Sequence, residues 1–484
     1  MMGSPPERKQ SLVTGTILVA GAQAAVVLAG YFIHFFLGRR LGPIAYGDFG
    51  VLSSLMLINT ALFLTGINRA VAKQIAEGNS PTAVMKAGFQ LQAALAALGL
   101  LFYILFAPKL VSLLHDPSLL LLIVFSSLAI FTQGIHTVYA KGYLNGLHDF
   151  RRQAFMEGGV AIFKVLLAIA FVTVGLGVFG AVAAYVLAPL FVIFFVFPVL
   201  VEKVQPVSKK SLLQFALPIT LSLGLFVAAM ELGLLAVKSL LSDGLSLGVY
   251  TAATTVPKVI YSLSTAFSLT IFPAVAGAVA QKKEIFMRKY IQQVLRYSML
   301  LLVPFAVLIS VSAPRLIVLL YSTAYQSAGP LLEILAFSAL FFSLFLTLNV
   351  ILFAVGKRLV AILLSTFLLA IGFIGYRLLI PTFSLPGAAS WAVGMGMIGV
   401  IASGLCLQSV SPMPLFSLGR ICLAGAIILW LGRLAQPQTG FLFILPFLLV
   451  LYVLLIFVLG EITSEDRSRA KDFWKRFSKF WGSF

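Results

Sequence analysis

Apolar stretches of 18 or more residues recur from one end of the chain to the other, separated by short polar interruptions. Each is long enough to cross about 30 Å of hydrocarbon at about 1.5 Å per residue. The runs are continuous, not alternating, so they predict helices and not the strands of a barrel. Lipid offers no partner to an unpaired backbone group, which leaves helices as the spanning form. The pattern predicts about fourteen spans, near 14–38, 48–68, 84–107, 118–140, 155–175, 179–201, 213–240, 247–275, 291–312, 329–354, 359–379, 386–408, 418–434 and 440–460. Pro218, Pro257 and Pro273 interrupt the seventh and eighth, where a missing backbone bond bends a helix.

Composition narrows the class further. Of 484 residues, 61% are hydrophobic and 10% charged, where a soluble chain carries about a quarter charged residues. The fold class expected is therefore an all-α integral membrane protein. A net charge of +19 in so apolar a chain points to loops facing anionic lipid headgroups and not to nucleic acid. Cys406 and Cys422 lack the spacing of a metal site or a disulfide framework and read as packing residues. The N-terminal "MMGSPPERKQ" leads into a full-length apolar run, so no cleavable signal is expected.

The cations then orient the spans. With a cytoplasmic N-terminus, 25 of the 34 Lys and Arg residues fall inside, among them Arg69, Lys73, Arg151, Arg152, Lys357 and Arg358. Six fall outside (Arg39, Arg40, Lys109, Arg315, Arg377, Arg433), and Lys164, Lys238 and Lys258 are embedded. Such a bias is what the positive-inside rule expects of the correct orientation, with both termini cytoplasmic. Beyond the last span, residues 461–484 repeat Phe473, Phe477, Phe480, Trp481 and Phe484 at helical spacing among Lys471, Lys475, Arg476 and Lys479, the pattern of an interfacial helix.

The two halves echo each other. "RRLGPIAYGDF" after span 1 matches "LLSDGLSLGVY" after span 7, aligning Gly47 with Gly248. Arg151 and Arg152 before span 5 match Lys357 and Arg358 before span 11, and Gly180 in "FGAVAAYVLA" matches Gly387 in "PGAASWAVGM". An offset of six spans keeps orientation, so the repeats are parallel, related by a pseudo-two-fold along the membrane normal. This divides the chain into a first lobe (1–201), a basic linker (202–212), a second lobe (213–408), two extra C-terminal spans (409–460) and the amphipathic tail (461–484).

Two six-helix lobes plus two extra helices, with "LGPIAYGDF" after span 1, resemble the polysaccharide-export or O-antigen-type flippases of the multidrug/oligosaccharidyl-lipid/polysaccharide exporter superfamily. The resemblance covers essentially the whole chain through loose glycine-and-apolar motifs. It implies a V-shaped pair of lobes opening alternately to each side of the inner membrane. It also implies a cargo of sugar units on a polyprenyl-pyrophosphate carrier, moved from inner to outer leaflet, by a monomer that could contact a polymerase or glycosyltransferases.

Ionisable groups at mid-bilayer cost about 2.5–3.5 kcal/mol each on insertion scales and mark a pathway by default. Lys164 and Lys258 lie near the middle of spans 5 and 8, and span 7 carries Glu231 and Lys238 seven residues apart, as span 5 carries Glu157 and Lys164. Seven residues rise about 10 Å, too far for a salt bridge within one helix. Each charge must find a partner on another helix or in water. One reading has the lysines hold a pyrophosphate, as compact charges with rotatable donors. The other has them lock helices through structural pairs such as Glu231 with Lys258, while Lys238, near a helix end, could instead snorkel to the interface.

Arg69, below Asn59 and Asn68, could meet the headgroup on entry or simply anchor the inner face. Arg39 and Arg40 could receive it on exit or bind outer-leaflet phosphate. Glu231 and Glu157 are the acids placed to couple an ion. His34 and His136 read as hydrogen-bonded core histidines. No catalytic, metal-ligating or cofactor-binding set is expected, and no G-x-x-x-x-G-K-[ST] phosphate loop occurs. Two relatives of the same superfamily compete: a lipid-linked peptidoglycan precursor flippase, and a cation-coupled multidrug exporter, whose acid in span 1 is absent from 14–38. A membrane glycosyltransferase or polymerase would need a large outer loop or paired carboxylates, and the longest outer loop, near 312–328, holds no carboxylate.

Overall fold

In a computed structural model, the chain is described over residues 12–192, 194–195, 207–241, 243–264, 275, 277, 281, 284–435, 441–462 and 466. Most of the 461–484 tail, Pro273 and part of the 202–212 linker lie outside these. The regular elements among the described residues are all helices, with no strand. In chain order the helices are α1 Leu12–Asn59, α2 Thr65–Ala76, α3 Pro81–Leu113, α4 Leu119–Ser127, α5 Ala129–His136, α6 Phe150–Thr173, α7 Gly177–Leu187, α8 Lys209–Leu241 and α9 Gly244–Thr255. They continue as α10 Glu284–Leu320, α11 Ala328–Ala354, α12 Arg358–Leu407, α13 Leu415–Leu434 and α14 Phe441–Val458. Two π-helical segments, Thr60–Leu64 and Thr137–Leu144, join α1 to α2 and extend α5.

These elements do not map one to one onto membrane crossings. Among the described residues, nine helical stretches are long and apolar enough to cross a membrane, and Gly177–Val192 and Ile444–Val458 are shorter apolar helices. One stretch, Leu18–Ala76, runs 59 residues, about 90 Å at helical rise and some three bilayer cores long. It cannot be one crossing. Gly42 breaks it with φ 75° and ψ 173°, followed directly by Pro43, a backbone glycine adopts without a Cβ penalty. The 50-residue Arg358–Leu407 is broken in the same way at Ser384, φ 55°. The gaps expected between spans 1 and 2 and between spans 11 and 12 fall on these breaks.

The helices are apolar on their outer faces. On α3, Leu98, Leu101, Phe102, Leu105 and Phe106 are exposed while Gln92 is buried, an arrangement that only a hydrocarbon solvent stabilises. The protein is a multi-pass membrane protein.

Packing gathers the chain into two units: Met1–Val256 with Ile317–Leu331 and Arg358–Met395, and Pro257–Leu316 with Leu332–Lys357 and Gly396–Phe484. Within the first unit, residues 48–74 run antiparallel to α8 over its whole length. From one end to the other, Lys238 meets Asp48, Glu231 meets Ser54, Gly224 packs on Leu62, Gly66 on Thr220 and Ala216, and Gln74 bonds Ser211 at 2.5 Å. The residue numbers of each pair sum to nearly the same value, the signature of a fixed antiparallel register. The glycines let the backbones approach, as small residues do between helices in lipid.

The repeat motifs occupy matching tight places in this unit. Gly47 and Gly248 pack against each other: a Cβ on Gly47 would stand 2.8 Å from the Gly248 amide nitrogen, and one on Gly248 2.0 Å from the Pro43 carbonyl oxygen. Gly180 and Gly387 each press onto the end of the preceding helix, against Leu176 and Phe383 respectively, four residues earlier in both cases.

The second unit is tied by charge at one end. Arg296 of α10 donates to Glu461 at 2.6 Å and to Asp466 at 2.7 Å, and Tyr297 bonds Asp466. Lys357 closes the end of α12 by donating to the Cys406 carbonyl at 2.9 Å and to Ser409 at 2.7 Å. Glu333 pairs with Arg433 at 3.7 Å.

Candidate substrate site

The first unit holds a basic corner built from three elements. Lys164 of α6 is half-buried, and its ammonium lies 4.5 Å from the centre of the Tyr185 ring on α7. Such a cation–π contact retains the charge without neutralising it. Lys164 makes no ion pair among the described residues. One end of Tyr185 is fixed by Phe49, 5.9 Å away between ring centres. On α5, His136 and Thr132 are both buried, and Lys164 is one of the charges that act on His136.

Glu157, two turns before Lys164 on α6, is buried and fully engaged. It accepts from Gln153 at 2.9 Å and from Gln23, and Lys141 of the second π-helical segment lies 3.9 Å away. The acid and the lysine of span 5 thus have different partners, as their 10 Å spacing requires. Lys141 and Tyr185 were not singled out in the sequence. In sequence Lys141 is one more basic residue near the end of an apolar run, and only the π-helical turn, common at functional sites, distinguishes its position.

Glu231 lies elsewhere, on the long α8 contact. It is buried and accepts from Ser54 at 2.7 Å, and the hydroxyls of Tyr250 and Tyr376 crowd Gly233 two residues on. Lys258 belongs to the second unit, half-buried just past the turn at Val256–Pro257 that ends α9. Lys238 is held by two carboxylates, Asp116 at 2.6 Å and Asp48 at 3.0 Å. Asp116 stands in the loop between α3 and α4, and nothing near Lys238 in the sequence points to it. Burial would raise the Asp116 carboxyl, but hydrogen bonds from Lys238 and Ser118 outweigh it and hold the group below the usual carboxylate range.

The remaining residues separate by exposure. Asn59 is buried and accepts from the Tyr103 hydroxyl at 2.9 Å. Arg69 is exposed. Arg39 caps the end of α10, donating to the carbonyls of Leu320 at 2.9 Å and of Leu319; Arg40 beside it is exposed. His34 is the hydrogen-bonded core histidine expected, 3.1 Å from the Tyr46 hydroxyl in a cluster with Tyr321 and Thr255. His136 is not: its Nε2 has no partner among the described residues.

Residues 36–330, more than half of the chain, match the family described as polysaccharide biosynthesis protein. The chain belongs to that family. Members share this membership through sequence; three solved structures share the fold. A lipid II flippase MurJ in an inward closed conformation is similar at TM-score 0.72 and 14% identity, over 93% of this chain and 99% of that one. An inward-facing multidrug resistance MATE family transporter of the MOP superfamily is similar at TM-score 0.61 and 16% identity, over 87% and 99%. A eukaryotic MATE transporter is similar at TM-score 0.59 and 14% identity, over 82% and 95%. No curated protein sequence matches the chain. This polysaccharide biosynthesis protein family member thus has the helical fold of membrane transporters and flippases, and the expectation drawn from its repeats and glycine motifs holds at that level.

Proposed function

We propose that the chain is a flippase of the inner membrane that moves polyprenyl-pyrophosphate-linked oligosaccharide from the inner to the outer leaflet by alternating access. Membership of the polysaccharide biosynthesis protein family supports a sugar cargo, and the fold supports transport in place of synthesis. The observation that carries the reading is Lys164: a half-buried ammonium against Tyr185 with no acid paired to it among the described residues. A buried charge without a counter-ion is costly, and a phosphate-bearing cargo supplies the missing charge. Glu157 and Glu231 are the acids available for ion coupling. Lys238, held by Asp48 and Asp116, takes a structural role in this reading. Both termini lie on the cytoplasmic side in this reading, as the distribution of cations favours.

A lipid-linked peptidoglycan precursor bears the same pyrophosphate, and the likeness to MurJ favours it only at the level of fold. The test is translocation in reconstituted vesicles with the two lipid-linked cargoes offered side by side. Lys164→Ala should abolish movement of the oligosaccharide lipid while the protein still inserts and elutes as a single species. Equal movement by Lys164→Ala and the parent would remove the basis of the reading, and preference for the peptidoglycan precursor would select the alternative.

A further inference from the structure

Thr132 and His136 stand four residues apart on α5, one above the other on one face. They are 6% and 9% exposed. Thr132 Oγ1 and His136 Nε2 make no hydrogen bond to any described group. Among the described residues, the charges that reach His136 are both positive, Lys141 and Lys164. Lys141 is shared with Glu157, whereas Lys164 meets the face of Tyr185.

Buried polar side chains are nearly always partnered, so orphaned ones need an explanation. Here two of them share a helix face, and one lies within the field of two cations. The chemistry narrows what could satisfy them. A metal cation is disfavoured, because two ammonium groups already act on the imidazole and the nearby carboxylate of Glu157 is occupied by Gln23, Gln153 and Lys141. A neutral hydroxyl would fill the hydrogen bonds and leave the charge unanswered. An oxyanion does both: it accepts from a threonine hydroxyl, an imidazole N–H and an ammonium, and charge-assisted bonds of this kind are the strong ones.

We propose that Thr132 and His136 complete, with Lys164, a phosphate-binding site in the first unit, which receives the pyrophosphate of the lipid carrier. The assignment rests on the flippase reading above for the identity of the carrier, and on the α5 and α6 side chains for the site. Thr132 and His136 supply directional donors and Lys164 the charge. His136 thereby becomes a cargo ligand and not a core residue.

The experiment uses the full chain in phosphatidylcholine nanodiscs, titrated with inorganic pyrophosphate and followed by calorimetry. The parent should bind. The double variant Thr132→Val with His136→Leu should bind at least about tenfold more weakly, the loss expected for hydrogen bonds to a charged group. His136→Gln, which retains an N–H donor, should stay within a few-fold of the parent and shows that the bundle tolerates change at this position. Lys164→Met should lose binding altogether. If the double variant binds like the parent while Lys164→Met does not, Thr132 and His136 are not ligands and the proposal falls, with the flippase reading intact. If the parent itself does not bind pyrophosphate, both fall. Nanodiscs containing phosphatidylglycerol separate the sources of phosphate. Unchanged pyrophosphate binding there supports the carrier, whereas competition to extinction would assign the site to ordinary lipid headgroups and overturn the proposal.

Discussion

Replacing Lys238 tests whether the long contact between residues 48–74 and α8 is held at its charged end. The ammonium sits 2.6 Å from Asp116 and 3.0 Å from Asp48, with the lysine side chain 10% exposed and the acids 22% and 23%. Removing one partner of a fully buried pair costs about 3–5 kcal/mol, because a charge is left without compensation; an exposed pair is worth about 0–1 kcal/mol. The acids here reach some solvent, which places Lys238→Met between these limits, at about 2 kcal/mol. Two carboxylates left side by side also repel each other, so the damage exceeds the loss of one bond. Neutralising them should therefore recover most of it. The assay is a cycle of thermal unfolding in detergent: parent, Lys238→Met, Asp48→Asn with Asp116→Asn, and all three together. The expected coupling is about 1–2 kcal/mol, with the triple variant more stable than the sum of its parts. Strict additivity would show that the three groups do not act together, and the charged end of the contact would have to be abandoned as a structural element.

Three further outcomes follow from the same packing. Gly248→Ala places a methyl group about 2 Å from the Pro43 carbonyl oxygen and should destabilise by about 1–3 kcal/mol through overpacking, read as a lower unfolding midpoint, whereas Gly158→Ala, with no described atom within 4 Å, should be silent. Ser54→Ala removes the donor to buried Glu231 and should cost about 1.5–3 kcal/mol; Ser54→Thr, which keeps the hydroxyl, should recover part of that in the same scan. The pH dependence has a definite sign. Asp116 is held below its ordinary value, so its contribution is fully present above a pH of about 4 and disappears only as pH falls through the lower, folded value. Stability of the parent should drop on acidification below that point, and Asp116→Asn should flatten the drop.

Much of the fold was legible because lipid imposes a simple rule on sequence. Continuous apolar runs must be helices, and the breaks at Gly42–Pro43 and Ser384 fall between runs that hydropathy already separates. The glycine motifs were readable for the same reason: Gly47 and Gly248 recur because two backbones meet there, and no side chain fits between them. Lys164 also stood out, since an ionisable residue in mid-span is rare.

Partners were not legible. Asp116 lies more than a hundred residues from Lys238, and only folding brings the loop after α3 to the end of α8. His136 and His34 looked alike, each a lone imidazole in apolar surroundings, yet Tyr46 satisfies one and no described group satisfies Nε2 of the other. Nor does anything in the sequence around Arg39 point to the carbonyls at the end of α10, to which it donates. Side chains buried on one face can be guessed from period; what they face across a helix contact cannot.

Whether this chain carries a pyrophosphate-linked sugar across the bilayer, as proposed, is decided by a transport measurement. The purified protein is reconstituted into vesicles with a polyprenyl-pyrophosphate oligosaccharide in both leaflets, and a membrane-impermeant glycosidase is added outside. Without transport, cleavage stops when the outer leaflet is exhausted; with the protein it should run to completion, and should stop at the outer-leaflet fraction again for Lys164→Ala. Cleavage that halts at the outer leaflet in the presence of the parent protein, in vesicles where it is folded and inserted, would show that the chain does not flip this lipid.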